Sequence, residues 1–196
     1  GSWRANFNVG NQTFSKSLRI ETVKPNRMKI DFELPEMLSL TQGDGINLSS
    51  RRLTGAKVAG LKANVTVSLL PTVTSFKNYP QYVFEDVSNY FNEYNEKTLF
   101  SSNLDKEGKT TVYLNDLKDI SSAGFLKAVF TVKVFEPEGG FSIMSTAGKI
   151  SPYRRYIGMN KPDTKSKWGD YYFTREKNVF DVIVVNEDGS LPQTAK

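Results

Sequence analysis

The 196-residue sequence contains no cysteine and no histidine. Without cysteine there are no disulfides, thiolate metal sites or cysteine nucleophiles. Without histidine there is no Ser-His-Asp arrangement, no common zinc ligand and no side chain that titrates near neutrality unaided. Acid–base or nucleophilic chemistry is left to carboxylates, lysine and tyrosine. The sequence therefore reads as a non-enzyme without cofactor or metal. Long apolar runs are also missing: none approaches the roughly 18 residues of a membrane-spanning helix. The first residues are polar and lack an export signal's apolar stretch. An exported protein gives the same sequence when its signal or anchor lies outside this stretch.

What is present points to a folded β protein. Hydrophobic residues make up 38% and charged residues 24%, which suits a globular chain rather than a disordered one. Period-two alternation dominates. Trp3, Ala5, Phe7 and Val9 alternate with polar residues up to Gly10-Asn11, and a second run from Phe14 reaches Leu18 and Ile20, predicting a hairpin. Val23 to Asn26 form a corner around Pro25, after which Met28, Ile30, Phe32 and Leu34 alternate again. Further strands are expected at 46–53, 61–70, 110–114, 123–136 and from Phe141. Two more follow, within "SPYRRYIGMNKPD" and in "NVFDVIVVN", where Phe180, Ile183 and Val185 are expected to be buried. The stretch "QYVFEDVSNYFNEYNEKTLF" (81–100) has roughly helical spacing and reads as a short helix or an elaborated loop. Many short strands with turn residues between them predict an all-β, immunoglobulin-like antiparallel β-sandwich.

Several clusters are candidates for chemistry. In "TGAKVAGLK", Gly60 opens onto an alternating strand rather than a helix N-terminus, so the loop is a corner and not a phosphate cradle. Glu136 and Glu138 flank Pro137 beside a glycine pair, the pattern of a turn more than of paired catalytic carboxylates. "DKEG" and "QGDG" likewise read as turns rather than a calcium loop. The net charge is +5, and the basic residues are densest at Lys149 to Lys167, where Tyr153, Tyr156 and Trp168 are interleaved with or adjoin them. No nucleic-acid motif accompanies them, and a solvated loop is the expectation. Tyr82, Phe84, Tyr90 and Tyr94 could form a sugar-stacking platform or pack a loop onto the sheet.

Five landmarks in colinear order resemble the bacterial alpha-2-macroglobulins. "LRIETVKPNRMKIDF" is similar to the family's junction between successive macroglobulin-like domains. "RRLTGAKVAGLKANVTV" is similar to a strand pair that follows it, although Lys57 stands where the family usually has proline. "NLDKEGKTTVYL", "GFLKAVFTVKVFEPEGGFSI" and "SPYRRYIGM … NVFDVIVVNEDG" continue the series. The resemblance implies three parts. Residues 1–22 would be terminal strands of a preceding macroglobulin-like domain, 23–145 a complete sandwich, and 146–196 the opening strands of the following, bait-region type domain. It implies a scaffold segment of a broad-spectrum endopeptidase inhibitor that traps proteases after bait cleavage. The family's thioester motif, Cys-x-Glu-Gln, cannot occur without cysteine.

Glu21, Pro25 and Arg27 are then structural junction residues. The partners implied are proteases, through the full-length parent, and neighbouring macroglobulin-like domains, with no nucleic acid and with membrane attachment only through an anchor elsewhere. The location implied is the periplasm or cell surface. The alternative is a carbohydrate- or adhesin-type binding sandwich of a bacterial cell-surface protein.

Overall fold

The structure is a computed structural model. It describes residues 2–10, 12–19, 26–43, 45–86, 88, 89, 91, 94–137, 139–160, 172, 174, 175 and 177–193. Among the described residues are twelve strands: β1 (Ser2–Val9), β2 (Gln12–Arg19), β3 (Met28–Phe32), β4 (Met37–Ser39), β5 (Gly45–Arg52), β6 (Lys62–Pro71), β7 (Tyr94–Asn103), β8 (Lys109–Tyr113), β9 (Leu126–Phe135), β10 (Phe141–Ser151), β11 (Arg155–Asn160) and β12 (Asp181–Asn186). A single 3-10 turn, Asn115–Leu117, is the only helical element among the described residues.

Two sheets make the body. One is five-stranded in the order β4-β10-β9-β6-β7, the other three-stranded in the order β3-β5-β8. All neighbours are antiparallel except β4, which runs parallel to β10. The expected immunoglobulin-like sandwich is present, with this one parallel edge as a departure from the all-antiparallel expectation.

The core follows from alternation. Successive strand side chains point to opposite faces. On β6, Ala63, Val65, Val67 and Leu69 therefore all turn inward, and on β9 so do Ala128, Phe130, Val132 and Val134. They meet Phe32, Ile46, Leu48 and Val112 of the three-stranded sheet in one continuous cluster. Phe130 meets Phe32 edge-on, with ring centroids 5.5 Å apart. The outward positions of β6 are Lys62, Asn64, Thr66 and Ser68, with Leu70 the one apolar residue among them, so most of this face suits water.

The loop from Gly55 to Gly60 is a corner: Gly55 has φ of 87° and Gly60 of 67°, and Gly60 donates its amide to the Asp105 carbonyl. Lys57, at the position of the missing proline, pairs with Glu107. Asp105 accepts from the amides of Glu107 and Lys109, each at 2.8 Å, which makes "DKEG" a turn closed by its own aspartate.

One open alternative is decided and one expectation needs correction. Residues 81–100 hold no helix among those described; β7 begins at Tyr94. Its partners shift by one residue between Val65↔Phe100 and Thr66↔Thr98, leaving Leu99 as the extra residue of a bulge. The bulge lets Leu99 and Phe100 both pack against the core, which breaks the period of two. Phe180 is not buried: it precedes β12 and is 38% exposed, whereas Val185 is fully buried. The strand β10 runs on through residue 145 and stays in the main sheet to Ser151.

Replacing Phe130 by alanine removes the central ring from between the sheets. It is expected to lower the unfolding free energy by about 3–5 kcal/mol, read from urea denaturation midpoints.

Candidate functional site

The candidate site is the pair of joints at which the chain enters and leaves the sandwich. The N-terminal joint is built from small polar side chains. The Asn26 side chain donates to the Ile143 carbonyl at 2.9 Å and accepts from the Ile143 amide at 3.0 Å, imitating a paired strand residue. Next to it, the Ser142 hydroxyl oxygen accepts from the amides of Arg27 and Met28, both at 3.1 Å, and donates to Glu136 Oε1 at 3.3 Å. Ser142 is fully buried, so each of these bonds is protected from competition with water.

Arg27 closes the arrangement. Its guanidinium lies 3.7 Å from Glu136 Oε2, and its carbonyl accepts from the Leu53 amide. The guanidinium is well exposed, so this ion pair contributes little, while the Arg27 backbone is bonded at both its amide and its carbonyl. Glu136 belongs to this clamp; its expected companion Glu138 lies outside the described residues. So do Glu21 and Pro25, the other two expected junction residues.

The C-terminal joint is aromatic. Phe76, Phe84, Phe125, Tyr156 and Val185 form a second buried cluster, with Tyr79, Tyr82, Tyr153 and Ile183 packed on it. Phe76 meets Phe84 at 4.7 Å and Phe125 meets Tyr156 at 4.8 Å, both edge-on. This cluster joins the end of the sandwich to the hairpin β11–β12. Val83 and Met159 exchange amide–carbonyl bonds of 3.0 and 2.9 Å, adding one rung beside β11. Gly158 lies under the Phe84 ring, so near that a Cβ there would fall 2.4 Å from the ring.

Phe84 therefore serves this core and cannot take part in an exposed platform. Tyr82 is half-buried, and the side chains of Tyr90 and Tyr94 lie outside the described residues. Tyr153 and Tyr156, expected among the basic residues of a solvated loop, face inward; Lys161, Lys165 and Trp168 are outside the described residues. Sequence reasoning missed Asn26, Ser142, Ser151 and Gly158. Asn26 and Ser142 are 116 positions apart, and no local spacing signals such a clamp.

A polar network orients the aromatic joint. The Tyr153 hydroxyl donates to the Ser122 carbonyl at 2.8 Å and accepts from the Ser122 amide at 3.0 Å. The Ser151 hydroxyl donates to the Tyr153 carbonyl at 2.8 Å. Its single proton is thus committed, so the Tyr156 hydroxyl donates to Ser151 across their 2.7 Å contact. Burial pushes the Tyr156 hydroxyl up to about 12, against the opposing effect of the Ser151 hydrogen bond.

With this geometry in view, residues 26–145 match the family model described as the bacterial alpha-2-macroglobulin MG5 domain. The chain belongs to the bacterial alpha-2-macroglobulin family. Similar solved structures agree in fold. The native conformation of Escherichia coli alpha-2-macroglobulin is 20% identical with a TM-score of 0.57, over 96% of this chain and 12% of that one. The trypsin-activated form of the Escherichia coli protein is 20% identical with a TM-score of 0.52, over 97% and 14%. Salmonella alpha-2-macroglobulin reacted with methylamine is 18% identical with a TM-score of 0.52, over 97% and 13%. The chain thus spans about an eighth of the length of these relatives. A search of curated protein sequences gives no match.

Two outcomes test the aromatic joint. Gly158→Val forces Phe84 off the hairpin, so amide exchange at Val83 and Met159 should accelerate about tenfold or more while Val65 and Val132 stay protected. The second concerns alkaline pH. The unfolded tyrosine loses its proton near pH 10, while folded Tyr156 holds its proton until about 12. The unfolded state then binds fewer protons, so stability is full below pH 10 and is lost as pH rises towards 12. Tyr156→Phe should remove about 1–3 kcal/mol of that loss in denaturation curves measured across the window.

Proposed function

We propose that this stretch is a load-bearing scaffold segment of a bacterial protease-trapping macroglobulin, and that its own residues neither cleave nor inhibit. In this reading residues 23–145 are the complete sandwich, whose strand β10 continues to Ser151. The hairpin β1–β2 belongs to the preceding macroglobulin-like domain, and β11–β12 opens the following, bait-region type domain. Glu21, Pro25 and Arg27 keep the role of junction residues, with Asn26 and Ser142 added to them. The parent polypeptide meets proteases, works in the periplasm or at the cell surface, and carries any thioester elsewhere, because this chain has no cysteine.

The observation that carries the reading is the contrast between the two faces of the molecule's chemistry. Its polar side chains of interest are spent on holding strands in place. Ser142, Glu136, Asn26, Tyr153 and Ser151 all bond to backbone or to one another within the joints. Membership of the family supports placing such a scaffold in a protease trap. The half-buried Tyr82 and buried Phe84 support packing onto the sandwich over an exposed platform, and so favour the scaffold reading over the carbohydrate-binding alternative.

The test compares the 196-residue chain with the parent polypeptide. The parent should be cut by several proteases and then shield them from a protein substrate. The isolated chain should leave protease activity unchanged at equimolar and tenfold molar excess. Stoichiometric inhibition by the isolated chain would overturn the scaffold reading.

A further inference from the structure

In the sheet β3-β5-β8, Phe32, Ile46, Leu48 and Val112 turn into the core, so their alternate neighbours face outward. The register sets Asp31 opposite Ser49 and Ser49 opposite Lys109. It then sets Asn47 opposite Thr111 and Gly45 opposite Tyr113. A groove of about 890 Å³ runs over this face, and Glu33, Asn47, Ser49, Lys109 and Thr111 are among its walls.

Several of these polar groups have no structural task. Asp31 is engaged, with Lys29 at 3.4 Å and Arg51 at 3.8 Å, and Asn47 Oδ1 accepts from the Thr111 hydroxyl at 3.3 Å. The Asn47 NH2 group, the Ser49 hydroxyl, the Glu33 carboxylate and the Lys109 ammonium have no partner among the described residues. The N-terminal joint is the contrast: there Asn26 and Ser142 each use donor and acceptor on a neighbour.

An aromatic ring stands beside these free groups. Gly45 lines the groove, and Tyr113 faces it across the ladder. A Cβ at Gly45 would lie 3.1 Å from Tyr113 Cε1 and 2.5 Å from the Thr111 methyl carbon. The glycine thus lets the ring lean on the neighbouring strand, while Tyr113 stays 56% exposed. The ring is positioned without being buried.

The charges along the groove select the class of ligand. Lys29, Arg51 and Lys109 balance Asp31, Glu33 and Asp105. A nucleic acid needs a surplus of cations, which is absent from this face. A drug-like apolar ligand needs a mostly apolar wall, and these walls are polar. A sugar hydroxyl both donates and accepts, so it can use the Asn47 and Lys109 donors and the Glu33 acceptor alike. The apolar face of a sugar ring can cover an aromatic ring. The groove volume falls within the roughly 300–1,000 Å³ of small-ligand sites.

We propose that this groove binds a neutral oligosaccharide. Tyr113 stacks on one sugar ring, and Asn47, Ser49, Glu33 and Lys109 bond the hydroxyls of that ring and the next. The site uses neither the Tyr82 and Phe84 rings nor any residue of the two joints. It goes beyond the scaffold reading and does not depend on it.

The test is a titration of the isotope-labelled 196-residue chain with cellotetraose, maltotetraose and chitotetraose, followed by amide NMR, with tetragalacturonate as the anionic control. One exposed ring and an open groove set the expected Kd of the best neutral sugar on the order of 1 mM. Shifts should be confined to residues 45–51 and 109–113. Tyr113→Ala and Asn47→Ala, both outward and outside the core, should each weaken binding about tenfold, with the remaining amide spectrum unchanged. Tyr113→Phe should keep the affinity within about twofold, because the ring face is retained. Tyr82→Ala should change nothing. The proposal is overturned by the absence of saturable shifts with all three neutral sugars, by tighter binding of the anionic one, or by binding that survives Tyr113→Ala. The protease assay tests the scaffold reading separately and does not involve these positions.

Discussion

The contact between β9 and the opposing sheet is the constraint on which the rest depends. β9 is paired on both sides, by β10 and by β6, and its inward residues Ala128, Phe130, Val132 and Val134 are fully buried. A strand hydrogen-bonded along both edges cannot slide without breaking two ladders. A slip of one residue would also turn its entire apolar set to the outer face. The register of β9 therefore fixes where β10 begins and ends. Through β10 it fixes both joints: Ser142 and Ile143 at one end, Ser151 at the other.

The joints use this fixed rail differently. At the N-terminal end, Asn26 and Ser142 hold two chain segments by directional bonds and bury little apolar surface. Such bonds contribute about 1 kcal/mol each net, but leaving a buried partner unpaired costs about 1–3 kcal/mol, so they specify one arrangement more than they strengthen it. At the C-terminal end, four aromatic rings from three separate segments converge with Val185. Each aromatic side chain buries roughly 150–250 Å², worth several kcal/mol. Ring contacts alone tolerate small rotations. Tyr153 on Ser122 and Tyr156 on Ser151 remove that tolerance.

The sequence showed the sandwich where local pattern and burial coincide. β6 and β9 alternate without a fault because each lies within a sheet and one of its faces is fully covered. β7 escaped because it is an edge strand with a bulge at Leu99, and a bulge erases the alternation by which strands are recognised. The aromatic run from Phe76 to Tyr94 was ambiguous for another reason. Its buried members serve a core assembled from Phe125, Tyr156 and Val185, far along the chain, so no local period describes it. Tyr153 and Tyr156 flank Arg154 and Arg155, but neighbours in sequence are not neighbours in exposure, and the two rings pack inward while the arginines do not. Arg27 is legible only through the family pattern; Ser142, which accepts from its amide, carries no signal of its own.

The nearness of the hairpin to the sandwich is set by an absence. At Gly158 the Phe84 ring occupies the space in which any other residue would place its Cβ. Leucine or valine there would add apolar surface and yet separate the two parts, because the ring cannot retreat: Phe76 lies 4.7 Å behind it. Apolar area and close approach are therefore in competition at this position. Close approach brings the backbones of Val83 and Met159 within hydrogen-bonding distance, so it gains two bonds that a larger side chain would forfeit. A joint that relied on apolar area alone could reseat itself in several ways. With a glycine under the ring and a reciprocal bridge beside it, only one seating satisfies both, and the hairpin is held in register with the sandwich.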